Sequence, residues 1–310
     1  MDTNLWIQDP VNAFREWQET GATGADQRPF SPRSIVQHAA MFERFLRYLL
    51  EHGESLATFG PERVEGFFMD LEKTCSPDSS TRVRYAKLIN RLCRQLVSAG
   101  LRDMNPADQA ARYMTWPEAE PEPIYLPPDA DNALQKYVQP RSADGALECR
   151  NRAIVALLLG SGITSTEIRT AKIGELELNA GRPSLNVPRH GSRPQRVVAL
   201  ERFAFPPLEA WRALNPDEPA MALLFPSPRG KRMMNDMFLL LVVREALAAI
   251  GFSAPDMSPR VLRNTYARRQ LLAGRHHADV NAMLGLITPR TIVRIQNTIQ
   301  DDAAARSVRR

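Results

Sequence analysis

Arg260 and Arg263 stand three residues apart in the run Ser258-Pro-Arg-Val-Leu-Arg-Asn-Thr-Tyr266, behind a Ser-Pro pair. Such a pair starts a helix, because Ser accepts a free backbone N–H and Pro suits the first turn. Arginine does not deprotonate and offers two donors to one phosphate, so the chemistry on offer is phosphate recognition. Cleaving a phosphodiester through a covalent intermediate needs a nucleophile, donors around the pentavalent phosphate, and an acid for the leaving oxygen. Ser258, Thr288, Thr291, Thr298 and Ser307 are hydroxyls in this region, and none has an evident base or phosphate clamp beside it. No tyrosine follows Tyr266. Tyr266 itself falls in the set Val261, Leu262, Thr265, Tyr266, Leu271 and Leu272, close to helical spacing, which makes it a core aromatic. His276 and His277 lie in a loop without metal-ligand spacing, and Cys75, Cys93 and Cys149 are scattered. Neither a disulfide framework nor a metal site is indicated, and no cofactor is expected.

Basic residues recur elsewhere. From Arg229 to Arg275 there are nine basic residues, Lys231 and Arg232 among them, against three acidic ones. From Arg82 to Arg102 there are six basic residues and no acidic ones. On a helix from about Thr81 to Ser98, Tyr85, Leu88, Ile89, Leu92 and Leu96 share one face, and Arg84, Lys87, Arg91 and Arg94 the opposite one. That face suits phosphates; the alternative is a solvated surface, although mixed charges serve solubility without self-repulsion. The whole chain, 310 residues with net charge +5 and pI about 9.3, is compatible with a polyanionic partner. No run is long and apolar enough to span a bilayer, so no membrane partner and a cytoplasmic location are the expectation.

The elements that must position these residues fall into two groups. Residues 1–30 read as an N-terminal extension with an apolar piece around Trp6, Phe14 and Trp17. Ser31-Pro32 opens a helix with Phe42, Phe45, Leu46 and Leu49, Pro61 opens another with Val64, Phe67, Phe68 and Leu71, and the basic helix follows. These make a helical domain over 31–113. Residues 117–131 hold five prolines and five acidic residues, an extended composition; the linker is placed at 114–127. In the second domain, 128–300, Ala153 to Leu159 is a buried helix. Thr164-Ser-Thr-Glu-Ile168 is a capped helix start. Short segments with strand character, making two or three strands, lie near 176–178, 184–187 and 196–200, with a polar loop at His190 to Gln195. Four helices follow, leaving 301–310 as a tail. The fold class is mainly α with a small antiparallel sheet, in two domains.

The run Ser258 to Tyr266 resembles the central box of the tyrosine recombinase (phage integrase) family, roughly Ser-Pro-His-x-Leu-Arg-His-Thr-Phe-Ala. The helical domain is similar to the family's core-binding domain in Ser31-Pro-Arg-Ser-Ile, Phe45-Leu-Arg-Tyr-Leu, the Pro61-Glu62 helix start and Gly100-Leu-Arg-Asp-Met-Asn-Pro106. The resemblance spans about residues 31–298. It implies a SAM-like core-binding domain and a recombinase-type catalytic-fold domain, closing on duplex DNA as a C-shaped clamp.

It also implies which positions carry the family's reaction. The family's Gly-Leu-Arg-x-Ser-Glu-Leu stands here as Gly162-Ile-Thr-Ser-Thr-Glu-Ile168, so its first arginine is Thr164. The hairpin that carries its lysine is Arg189 to Arg196, which has no lysine but keeps Arg189, His190, Arg193 and Arg196. Its first histidine is Arg260 and its second arginine is retained as Arg263. Its Leu-Gly-His is Leu284-Gly-Leu286, and its tyrosine position falls at or near Ile295. The expectation is a protein without catalytic residues that binds double-stranded DNA at specific sites through Arg84, Lys87, Arg91, Arg94, Arg193, Arg196, Lys231, Arg232, Arg260 and Arg263. It would serve recombination or transposition of a mobile element as an accessory or end-binding factor. Two rivals stay open: a divergent active recombinase with an unrecognised or trans nucleophile, and a protein-binding subunit with little DNA contact. The terminal stripe Ile292, Val293, Ile295 and Ile299 could pack in cis, or in trans on a second copy or on an active recombinase or transposase.

Overall fold

The computed structural model describes residues 3–24, 27–75, 80–113, 122–179, 181–191, 193–227, 230 and 232–308, the last six of these by backbone only. Two compact units divide the chain at Pro121 and Glu122. The first holds α1 (Thr3–Gln8), α2 (Pro10–Thr20), α3 (Pro32–Glu51), α4 (Pro61–Thr74), α5 (Thr81–Ser98) and α6 (Pro106–Tyr113). Pro sits in the first turn of α2, α3 and α4, and the side chains of Asp9 and Ser31 cap α2 and α3 by accepting the N–H groups of Asn12 and Ser34.

The core of this unit is aromatic. Phe42, Phe45 and Leu49 of α3 meet Phe67, Phe68 and Leu71 of α4 and Tyr85, Ile89 and Leu92 of α5. The helices expected as an N-terminal extension do not stand apart: Trp6, Ala13, Phe14 and Trp17 are buried in the same core, and Phe14 stacks on Phe42 with ring centroids 4.2 Å apart. The physical reason is area, since rings of this size dominate the apolar surface a small helical core can bury.

The second unit holds α7 (Pro128–Tyr137), α8 (Ala146–Ser161), α9 (Ser165–Thr170), β1 (Leu176–Glu177), β2 (Ser184–Val187), β3 (Arg196–Ala199), α10 (Phe205–Ala213), α11 (Asp236–Ala249), α12 (Pro259–Leu272), α13 (His277–Met283) and α14 (Arg290–Val308). Helix α8 is central, and from Ala153 to Leu159 it is apolar all round and buried, as such a stretch must be. The sheet is an antiparallel meander in the order β1-β2-β3, with Leu185 opposite Val198 on its buried face. Tyr266, Leu271, Val280, Leu284, Ile292 and Ile295 form a satellite core joining α12, α13 and α14. Among the described residues no helix is long and apolar enough to cross a membrane.

Candidate functional site

Helix α8 stops at Gly162, whose φ of +64° suits the left-handed cap. A Cβ there would run into the Tyr266 ring and Leu284. Thr164 then opens α9 with a capping box: its Oγ1 accepts the Glu167 N–H at 3.3 Å, and Glu167 Oε2 accepts the Thr164 N–H at 2.7 Å. The Glu167 carboxylate also receives two hydrogen bonds from Arg196 of β3, at 2.8 and 3.0 Å, and both side chains are nearly buried, 8 % exposed for Arg196 and 1 % for Glu167. Burial pushes the Glu167 carboxyl up, but Arg196 and the Thr164 N–H outweigh it and hold it at about 2.

The remaining Arg196 nitrogen, Nε, donates to the Met283 carbonyl at 2.8 Å, at the C-terminal end of α13. Arg263 of α12 reaches the same end, donating to the Leu284 carbonyl at 2.8 Å and, from its other terminal nitrogen, to the Gly162 carbonyl. Both guanidinium groups therefore satisfy helix-end carbonyls, where cations are favoured. Burial lowers Arg263 to about 9, with Arg193 and Arg196 adding repulsion and Glu167 opposing them. Arg196 is thus paired with Glu167, and Arg193 and Arg196 both repel the Arg263 charge, a repulsion that an anion there would relieve.

Arg193 is half-buried in a loop narrowed by backbone hydrogen bonds with His190 in both directions, at 3.0 and 3.2 Å. His190 Nε2 lies 3.1 Å from the Thr170 hydroxyl of α9. Arg260 is exposed and grips one oxygen of Asp256 through Nε and Nη2, at 2.9 and 2.8 Å. Ser258 caps α12 by accepting the Arg260 N–H at 3.3 Å. Ile295, at or near which the resemblance puts the nucleophile, has no exposed surface and packs in the satellite core. Tyr266 is buried too, and burial pushes its hydroxyl up to about 12.

One expectation needs correction. Arg196, expected to bind DNA, points inward and pairs with the buried Glu167 carboxylate, a charge that would be costly to bury alone. Arg268 and Arg269, two of the nine basic residues between Arg229 and Arg275, are engaged within the unit as well. Arg268 pairs with Asp302 of α14 and lies 4.4 Å from the Tyr125 ring centroid. Arg269 forks onto Asp131 at 3.0 and 2.9 Å. The terminal stripe packs in cis: Ile292 and Ile295 are covered by the second unit's own helices, with Val293 left exposed.

In the first unit, Arg84, Lys87 and Arg94 are exposed along α5 and Arg91 is half-buried. Arg84 donates to Gln37 of α3 at 3.0 Å, and Arg94 lies 4.0 Å from Asp108. Arg232 is exposed, and Lys231 lies outside the described residues. Two things escaped the sequence reading: Glu167 as the anion of the cluster, although Thr164-x-x-Glu167 had signalled a capping box, and the aromatic surroundings of Arg91, which have no sequence signature.

A model of the phage integrase family matches residues 126–295. Tyrosine recombinase XerC of Roseiflexus castenholzii is 24 % identical over 280 residues, covering 84 % of this chain and 82 % of that one. Tyrosine recombinase XerD of Yersinia pestis is 24 % identical over 265 residues, covering 84 % of each. Among solved structures, the XerH site-specific recombinase bound to its difH substrate in a pre-cleavage complex superposes with a TM-score of 0.65 at 16 % identity, over 97 % of this chain and 95 % of that one. A lambda integrase dimer bound to a COC′ core site gives 0.64 at 12 % identity, over 92 % and 75 %.

Proposed function

The chain belongs to the phage integrase family, and we propose that within it the protein binds specific double-stranded DNA sites without cutting them, as an accessory or end-binding factor in recombination or transposition of a mobile element. The observation that carries this reading is Ile295, a fully buried hydrocarbon at or near the position where the resemblance calls for the tyrosine, in a chain with no tyrosine after Tyr266. Thr164 stands in place of the first arginine and Leu286 in place of a histidine. Such groups contribute several kcal/mol each to barriers of this kind, at roughly 1.4 kcal/mol per tenfold in rate.

DNA binding draws on charge that remains. Arg193 lies near enough to Arg263 to repel its charge, Arg260 is exposed beside its partner Asp256, and α5 presents Arg84, Lys87 and Arg94. A phosphate at Arg193 and Arg263 would be oriented but not attacked. Two experiments test this. Footprinting of the full chain on DNA flanking its own gene is expected to show a protected site of about 15–30 base pairs with steep salt dependence. A nicked suicide duplex is expected to give no covalent protein–DNA adduct. An adduct would establish an active enzyme, and uniform weak retention would favour the protein-binding reading.

A further inference from the structure

The loop after α2 is closed by pairing of Thr23 with Pro29 and by the Gly24 N–H donating to the Arg28 carbonyl at 2.9 Å. Gln27 takes φ +58° at the reversal. The loop thereby delivers Phe30 to α3 and α5. On one side Phe30 meets the His38 ring of α3 edge to face, with centroids 4.6 Å apart and planes at 89°. On the other, the Arg91 guanidinium of α5 stands 4.8 Å from the Phe30 ring centroid. His38 is fixed from behind, since its Nδ1 lies 2.7 Å from Oε1 of Gln18, a buried residue of α2.

We infer that Phe30 and His38 are positioning residues that hold the Arg91 guanidinium ready for a DNA phosphate, making the N-terminal segment a working part of the nucleic-acid interface. The inference rests on the DNA-binding reading above. A free arginine side chain loses considerable rotamer freedom when it grips a phosphate, and a guanidinium already held over a ring has lost part of it beforehand. Among the described residues no carboxylate pairs with Arg91, whereas Arg94 has Asp108 within 4.0 Å. The charge of Arg91 is therefore left for a partner. His38 acts as a ring and not as a cation. Burial, then the charges of Arg91 and Arg84, lower its affinity for a proton, and the other groups facing it are Gln18 of α2 and Phe30 of the loop.

The test is duplex binding by the full chain, followed by fluorescence anisotropy at two salt concentrations, for Phe30→Ala, Phe30→Leu, Phe30→Tyr, Arg91→Ala and the Phe30→Ala/Arg91→Ala double variant. Phe30→Ala and Arg91→Ala are each expected to weaken binding by about three- to tenfold, and the double variant by no more than Arg91→Ala alone. Phe30→Tyr restores wild-type affinity. Phe30→Leu keeps apolar bulk and the wild-type unfolding midpoint but binds like Phe30→Ala, a result that packing alone does not produce. Effects that multiply in the double variant, or a Phe30→Leu that binds like wild type, overturn the inference while leaving DNA binding intact. A wild-type chain that retains no duplex overturns both.

Discussion

The Glu167–Arg196 pair shows how one carboxylate settles the character of the second unit's candidate site. Buried ion pairs stabilise little against an apolar substitute, but removing one partner strands the other. Glu167→Gln is therefore expected to destabilise the chain by about 3–5 kcal/mol, read as a lower denaturation midpoint. The pH dependence has a definite sign. With the folded carboxyl held at about 2 against an ordinary 4.5, the pair's contribution is complete above 4.5 and is lost as pH falls toward 2. Acid titration of unfolding should show this loss in the wild type and not in Glu167→Gln. Ile295 gives the complementary case. Because its site is full, Ile295→Tyr is expected to cost about 1–3 kcal/mol by overpacking and to restore no cleavage of a nicked duplex.

Among the elements, α12 carries most of the second unit's polar commitments. Its Arg263 ties down the ends of α8 and α13, Arg269 reaches α7, and Arg268 holds α14 through Asp302, whose carboxylate also accepts the Tyr125 hydroxyl at 3.0 Å. Asp302→Asn should weaken the hold on α14 without touching the satellite core, which faster amide exchange confined to that helix would report. The end of α8 tolerates less. At Gly162 a Cβ meets both a left-handed backbone and the Tyr266 ring, so Gly162→Ala is expected to cost about 2–4 kcal/mol in chemical denaturation.

For the whole molecule, the charge that faces outward matters more than the charge that is paired within. Arg196, Arg268 and Arg269 are paired with the unit's own carboxylates, whereas Arg84, Lys87 and Arg94 are exposed on α5. Replacing those three with alanine should weaken binding evenly across DNA sequences. It should also lower the slope of log affinity against log salt by about one for each phosphate that α5 no longer neutralises. An unchanged slope would mean that α5 faces solvent.

Sequence alone determined the helical first unit, the segments that form the small sheet, the cap at Ser258, the capping box at Thr164 and the absence of a late tyrosine. Each of these is written in neighbouring residues, through periodicity, Pro and Gly placement, or mere composition. It placed the basic face of α5 opposite its apolar one for the same reason. Which arginines remain available was decided only by the tertiary structure. Glu167 and Arg196 are 29 residues apart, Arg269 and Asp131 are 138 apart, and Arg268 and Asp302 are 34 apart. No local pattern announces such pairs, because a carboxylate claims whichever guanidinium the fold brings within hydrogen-bond reach. The same holds for Trp6 and Phe14, whose burial against α3 turned a supposed extension into core. Hydrophobic area is indifferent to sequence distance.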